Sequence, residues 1–82
     1  MKLSQKTIQS YIDYHIKNEC LWTNVIYRGS DWELTCEEYP EDNTANFYFT
    51  NGNTYFAIQT DSVFIDEVLK SATVKAIYED IE

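Results

Sequence analysis

The segment from Asp31 to Asp42 carries the side chains best suited to chemistry, because it holds six carboxylates and no basic residue. On a strand, residues i and i+2 lie on one side about 6.7 Å apart, which would align Asp31, Glu33 and Glu37. Such a row of negative charges can stand in for nucleic-acid phosphates. The alternative is a solvated strand that keeps a small protein soluble. The predicted contacts to a basic partner are Asp31, Glu33, Glu37, Glu38, Glu41 and Asp42.

Catalytic and metal-binding chemistry has less support in the sequence. A thiol nucleophile at Cys20 or Cys36 would need His15 as its base, and nothing in the spacing places these residues together. Zinc sites use paired short spacings, whereas this chain has one histidine and no Cys-x-x-Cys. Adjacent acids such as Glu37 and Glu38 point opposite ways on a strand. We therefore expect a protein that is not an enzyme and has no metal or cofactor.

Charge is distributed unevenly along the chain. Residues 1–28 contain four basic and two acidic residues, a net +2, whereas residues 29–82 contain two basic and twelve acidic residues, a net −10. The total of −8 is large for 82 residues. A field of this size repels nucleic acid and anionic membranes, and it attracts basic protein surfaces. The predicted partner is a basic protein, with no direct binding to nucleic acid or membrane.

The length of 82 residues predicts a single domain over residues 1–82. An aromatic content of 16% supplies large side chains for a compact core. No apolar run approaches the roughly 18 residues of a membrane span, and the N-terminus lacks the apolar stretch of a signal peptide. We expect a cytoplasmic protein in which Cys20 and Cys36 are free thiols, with a single bridge between them as the alternative.

The N-terminal segment has the pattern of an amphipathic helix. Ile8, Ile12 and Ile16 recur every four residues and form one apolar stripe. Ser4 is a favourable N-cap. The pattern predicts a helix over residues 4–18.

Alternation with a period of two predicts a hairpin between residues 21 and 38. Trp32, Leu34 and Cys36 alternate with polar residues, as in a half-buried strand. Glycine at the first central position of Gly29-Ser30 suits a type II′ turn. The predicted cross-strand pairs are Val25–Leu34, Tyr27–Trp32 and Arg28–Asp31.

A second hairpin is predicted around Asn51-Gly52, the preferred dipeptide of a type I′ turn. Residues 45–50 and 53–59 on either side are rich in aromatic residues and alternate in polarity. The predicted pairs are Phe47–Phe56 and Ala45–Ile58 on an inner face, and Tyr48–Tyr55 on the outer one.

The residue pattern of the C-terminal quarter predicts a helix. Thr60 or Asp61 can cap a helix that extends to Ala72, and its apolar side would hold Phe64, Ile65, Val68, Leu69 and Ala72. Residues 73–81 fit either a helix or a short strand, with helix favoured. The expected fold is α+β, an antiparallel four-stranded sheet of two hairpins with an N-terminal and a C-terminal helix packed on one face.

The other face of that sheet would be aromatic and acidic. Trp22, Tyr48 and Tyr55 would stand among Glu33 and Glu37. Tyrosine and tryptophan often dominate the binding energy of protein interfaces, so these rings are predicted partner anchors. Two alternatives remain: the C-terminal segment covers this face, or a second copy of the chain does so in a homodimer.

The chain resembles the small acidic inhibitors encoded by phages, among them the anti-CRISPR proteins and the uracil-DNA glycosylase inhibitors. The resemblance lies in the length, the net charge of −8, the acidic run from Asp31 to Asp42 and the expected order helix–hairpin–hairpin–helix. It implies a DNA mimic in a host bacterial cytoplasm that binds a nuclease or nucleic-acid-binding effector. An immunity or antitoxin protein against a basic toxin, or a non-enzymatic dimerising domain, would share these features.

Overall fold

The chain folds as one helix followed by an antiparallel meander of strands. The computed structural model describes residues 4–18, 22–27, 30–52 and 54–81. Within these ranges, five strands form one sheet in chain order, each paired with the next. The elements are α1 (Gln5–Lys17), β1 (Trp22–Tyr27), β2 (Ser30–Tyr39), a 3₁₀ turn (Pro40–Asp42), β3 (Thr44–Asn51), β4 (Thr54–Ile65) and β5 (Val68–Ile81).

The predicted C-terminal helix is wrong, and with it the fold of four strands and two helices. Residues 61–72 and 73–81 lie instead in β4, its turn and β5. The strand pattern continues through this region, but hydroxyl side chains hold two of its buried positions, Thr60 and Ser62. Thr60 Oγ1 donates to the carbonyl of Ala45 at 2.8 Å and lies 2.9 Å from Ser62 Oγ. Polar residue types at core positions therefore concealed the alternation.

Asp66 and Glu67 form the turn between β4 and β5. Both have positive φ angles, 53° and 66°, as the two central residues of a type I′ turn require. Glycine and asparagine are the usual residues at such positions, so Asp-Glu gave no hairpin signal. Beyond Asp61, the last β4 residue that pairs with β3, strands β4 and β5 continue together as a two-stranded arm.

The first hairpin forms with its turn one residue earlier than predicted. Residues 28 and 29 connect the strands and lie outside the described part of the chain. Moving the turn by one residue shifts each cross-strand partner by two, which is the side-chain period of a strand. Each side chain therefore stays on its predicted face, and Val25, Trp32 and Leu34 are buried. The observed pairs are Val25–Trp32, Ile26–Asp31 and Tyr27–Ser30, in place of Val25–Leu34, Tyr27–Trp32 and Arg28–Asp31.

The second hairpin shows the opposite displacement, by one residue towards the C-terminus. Asn51 pairs with Thr54, and Gly52 takes the first turn position with a φ of 62°. Glycine adopts this left-handed conformation without the steric cost of a Cβ atom. The inner face again survives, because Ala45, Phe47, Phe56 and Ile58 are all buried. The observed pairs are Phe47–Ile58, Phe49–Phe56 and Tyr48–Ala57, in place of Ala45–Ile58, Phe47–Phe56 and Tyr48–Tyr55.

Helix α1 covers the inner face of the sheet. Ser4 occupies the N-cap position, as predicted, and its carbonyl accepts a hydrogen bond from the Ile8 amide at 3.0 Å. Ile8 and Ile12 are fully buried. The core is completed by residues from every strand, namely Val25, Trp32, Leu34, Ala45, Phe47, Phe49, Phe56, Ile58, Ala72 and Val74.

The same helix makes hydrogen bonds to both edge strands. On β5, Gln9 Nε2 donates to the Ala72 carbonyl at 2.6 Å, and Gln9 Oε1 accepts from the Val74 amide at 2.9 Å. On β1, the Tyr11 hydroxyl donates to the Ile26 carbonyl at 3.0 Å. The Gln9 amide thus satisfies edge groups that a neighbouring strand would otherwise pair. Helix α1 therefore contacts both edge strands from the inner face of the sheet.

Candidate protein-binding surface

The outer face is the side of the sheet opposite α1. In the described part of the chain, neither a helix nor a strand packs against it. The cross-strand register assigns to it alternate residues of every strand. We define the outer face by Asn24, Ile26, Asp31, Glu33, Thr35, Glu37, Tyr39, Asn46, Tyr48, Thr50, Tyr55, Ala57 and Tyr78.

The structure divides the predicted acidic residues between two places. Asp31, Glu33 and Glu37 lie on the outer face and are exposed. Their spacing along β2 places the first two about 6.7 Å apart. The other three, Glu38, Glu41 and Asp42, lie at the end of β2 and in the 3₁₀ turn, so the six do not form one row.

Two of the three predicted aromatic anchors lie on the outer face, Tyr48 on the strand next to the acidic row and Tyr55 one strand farther away. Tyr48 lies opposite Thr35 and is half-buried, while Tyr55 lies opposite Thr50, also half-buried. Trp22 pairs through its backbone with Thr35, but its side chain lies outside the described residues. The outer face therefore combines fixed carboxylates with tyrosine rings.

Glu37 is held by two tyrosines. The Tyr39 hydroxyl donates to Glu37 Oε2 at 2.8 Å. Hydrogen bonding from Tyr48, and to a smaller extent from Tyr39, lowers the pKa of Glu37 below its ordinary value. The same bonds raise the pKa of both phenols, because each hydroxyl proton is shared with a carboxylate. Glu37 is thus an oriented negative charge at neutral pH.

The remaining predicted carboxylates line a cleft at one end of the sheet. The cleft has a volume of about 350 Å³, and its lining residues are Glu38, Tyr39, Pro40, Glu41, Asp42 and Glu67. Glu67 is not in the predicted contact set, although the sequence places it among the acidic residues that could widen that surface. Among the described residues, no group of three His, Cys, Asp or Glu side chains has the geometry to hold a metal ion.

The candidate nucleophile and base do not form a reactive pair. His15 is buried against the edge of the Phe47 ring, with a centroid separation of 5.8 Å, and its Nδ1 atom has no hydrogen-bond partner. Burial lowers the pKa of His15. Burial, together with the charges of Glu38 and Glu37, raises the pKa of the free thiol Cys36 to about 12. Cys36 is therefore not a thiolate at neutral pH, and Cys20 lies outside the described residues.

Comparison with known proteins gives no relative for this chain. No protein-family model, no curated protein and no solved structure matches it. Within the described ranges, no helix has the length and apolar character needed to cross a membrane. The functional interpretation consequently rests on the outer face and the charges around it.

Proposed function

We propose that this chain is a small acidic protein that binds a basic nucleic-acid-binding protein or nuclease, such as a CRISPR effector, and inhibits it by occupying its DNA or RNA site. The observation that carries the proposal is the uncovered outer face, on which Asp31, Glu33 and Glu37 stand in a row beside half-buried tyrosines. A solubilising coat of charge would not need a carboxylate oriented by two phenols, as Glu37 is.

The electrostatic field over this face is negative. Strands β1, β2 and β3 contain no lysine or arginine. Lys75 lies on β5, at the edge of the sheet opposite β1, and is 3.8 Å from the carboxylate of Asp61. Opposite charge on a partner would accelerate association and align the two surfaces. A groove lined by lysine and arginine is the complementary site.

Apolar contacts would supply most of the affinity. Tyr48 and Tyr55 are half-buried, and Tyr78 on β5 is 59% exposed. The face continues onto the arm, where Val63 and Ile65 are also exposed. Tyrosine buries a large ring with little loss of conformational entropy, which makes it effective at interface centres. The acidic row would set the orientation, and these side chains would provide the contact area.

Affinity capture with a matched variant tests the proposal. The chain is immobilised and exposed to extract from its native host, in parallel with Asp31→Asn/Glu33→Gln/Glu37→Gln and with a control, Asp13→Asn/Asp61→Asn/Asp66→Asn. Both variants lose three exposed acidic charges, but only the first lies on the row. We expect the wild type and the control to retain a basic protein that duplex DNA elutes, and the row variant to lose it.

Two results would reject the proposal. If both triple variants lose the captured protein equally, net charge and not the row drives binding. If the captured protein is acidic, or resists elution by DNA and by raised salt, the nucleic-acid-site hypothesis fails. Circular dichroism of the three chains confirms that each is folded, since all six substituted side chains are exposed.

A further inference from the structure

Strand β1 is an edge strand whose own sequence lacks the residue types that usually prevent pairing. It begins the sheet order and pairs only with β2 among the described strands. Its sequence, Trp-Thr-Asn-Val-Ile-Tyr, has no charge and no proline, and four of its six residues are aromatic or β-branched apolar types. Natural proteins usually block an edge with lysine, proline, a bulge or a covering element. An unblocked strand of this composition is a template for another strand.

The backbone of β1 offers hydrogen-bonding groups to the open side. The Ile26 carbonyl accepts from the Tyr11 hydroxyl at 3.0 Å, so it points away from β2. Alternate residues of a strand point the same way, which directs the amide and carbonyl of Asn24 to that side as well. A carbonyl oxygen has two lone pairs, so Ile26 can accept a second bond while keeping Tyr11.

A groove beside this edge leaves room for an added strand. Helix α1 and β1 enclose a volume of about 460 Å³, lined by Ser10, Tyr11, Tyr14, Asn24, Val25 and Ile26. The Tyr14 and Ile26 side chains are 58% and 71% exposed. Extended chains commonly bind along such a groove between a helix and an edge strand. None of these lining residues is charged.

The other edge of the sheet is different. Around the middle of β5, Gln5 Nε2 donates to the Val74 carbonyl at 3.2 Å, and the Gln9 amide bonds to Ala72 and Val74. The Val74 amide has a single hydrogen, so its bond to Gln9 withholds that donor from an incoming strand. The two edges are therefore not equivalent, and β1 is the more available of them.

We propose that β1 pairs antiparallel with β1 of a second copy, which joins the two sheets into one across a two-fold axis. The composition of β1 favours this occupant, because an uncharged and mostly apolar strand matches a second copy of itself. The chain carries −8, so two copies repel at most surfaces, but β1 itself has no charged residue. With strands about 4.8 Å apart, the acidic rows on the two β2 strands lie about 14 Å from each other. This exceeds the Debye length of about 8 Å at physiological salt, so their repulsion is largely screened.

The dimer has a consequence that rests on the proposed function. The two outer faces become one continuous surface, and the rows of Asp31, Glu33 and Glu37 run antiparallel on it. A double row of this kind fits a partner site that holds two antiparallel nucleic-acid strands. The test of the dimer uses no partner protein. A negative result there therefore rejects the dimer without rejecting the proposed function.

Light scattering coupled to size-exclusion chromatography measures the mass over a micromolar to millimolar concentration series. We expect a concentration-dependent dimer for the wild type. Ile26→Lys places a charge on the β1 edge and should raise the dimer Kd at least about tenfold. Tyr78→Lys, the matched control, adds the same charge at an exposed position of the other edge strand and should leave the Kd unchanged. Both positions are exposed, so both variants should fold.

Asn24→Pro provides a second test, because it removes an outward amide that the monomer does not need. Amide hydrogen exchange gives a direct readout, with slower exchange at Asn24 as concentration rises. A wild type that is monomeric throughout the series overturns the proposal. A dimer that Ile26→Lys and Tyr78→Lys weaken equally, or one with no protection at Asn24, also overturns it. A wild type that stays monomeric but binds an extended peptide of another protein along β1 would also overturn the dimer, and it would identify that peptide as the occupant.

Discussion

His15 is the polar residue that the core accommodates least well. It is 4% exposed, and its Nδ1 atom makes no hydrogen bond. Burial holds its pKa below the ordinary value of 6.5. The neutral ring packs against Phe47, but a charged ring would lose its hydration, and no carboxylate of the described residues is in hydrogen-bond contact to compensate. The core therefore tolerates His15 only in the neutral form.

The first prediction concerns the pH dependence of stability. Below about pH 6.5 the unfolded chain binds a proton at His15 that the folded chain does not, so the free energy of unfolding falls as the pH drops. Urea denaturation of the wild type between pH 8 and pH 5 should show this decline. His15→Leu removes the group and should flatten the curve in that interval, since the carboxylates titrate in both chains. Parallel curves for the two proteins would refute the assignment.

Cys36 gives a second prediction at the residue scale. A thiol with a pKa of about 12 has roughly a thousandfold less thiolate at neutral pH than an ordinary cysteine. Iodoacetamide should therefore alkylate Cys36 several hundredfold more slowly in the folded protein than in guanidinium. Mass spectrometry of the peptide that contains Cys36 measures this rate separately from Cys20. Equal rates in the two conditions would show that the thiol is accessible and ionisable.

At the scale of elements, Gln9 makes two of the hydrogen bonds that join α1 to β5. Gln9 both donates to Ala72 and accepts from Val74, so it replaces a missing strand at that edge. Gln9→Ala should lower the free energy of unfolding by about 1–3 kcal/mol, because two backbone groups lose their partner. Ser10→Ala, one residue away and exposed, should change it by less than about 0.5 kcal/mol. Chemical denaturation compares them, and equal effects would contradict the role given to Gln9.

The turn of the arm stores strain that a substitution can release. Glu67 has a φ of 66°, which costs a residue with a Cβ atom more than it costs glycine. Glu67→Gly should therefore stabilise the protein or leave it unchanged, within about 1 kcal/mol. Glu67→Ala keeps the Cβ atom and removes the same charge, so it should be the less stable of the two in thermal denaturation. The reverse order would show that the turn does not require this conformation.

The elements that the sequence predicts well are those whose residue types follow the periodicity of the structure. Helix α1 and the inner faces of β1 to β4 were predicted because Ile8, Val25, Leu34 and Phe47 are apolar where the core needs them. The observed turns of the first two hairpins lie one residue from the predicted positions. This changes the cross-strand partners but not the face of the sheet on which each side chain lies. The C-terminal hairpin was missed because Thr60 is a polar core residue and the turn at residues 66–67 contains no glycine.

The candidate site was predicted in part for the same reason. The alternation along β2 correctly places Asp31, Glu33 and Glu37 on one face. Glu41 and Asp42 are separated from the row because β2 ends before Pro40, which stops strand pairing and begins the 3₁₀ turn. Glu67 joins that cleft only through the long β4–β5 hairpin, a tertiary contact that no local pattern encodes.

At the scale of the whole molecule, the negative charge is concentrated in the part of the chain that follows α1 and β1. Helix α1 and β1 come from the segment with a net charge of +2, and the remaining strands come from the segment with a net charge of −10. Because α1 covers the inner face, Asp31, Glu33 and Glu37 of β2 are presented on the opposite side. The molecule thus has a covered face that stabilises the fold and an open face available for binding. The pairing edge at β1 lies between them.

Mutually exclusive binding is the most direct test of the central claim. The captured partner is saturated with this protein, labelled duplex DNA or RNA of the kind it normally binds is added, and fluorescence anisotropy and native mass spectrometry report every complex formed. The proposal predicts that the nucleic acid is excluded from the complex and that each ligand displaces the other in proportion to its affinity. A stable ternary complex, with nucleic-acid affinity unchanged by this protein, would contradict it.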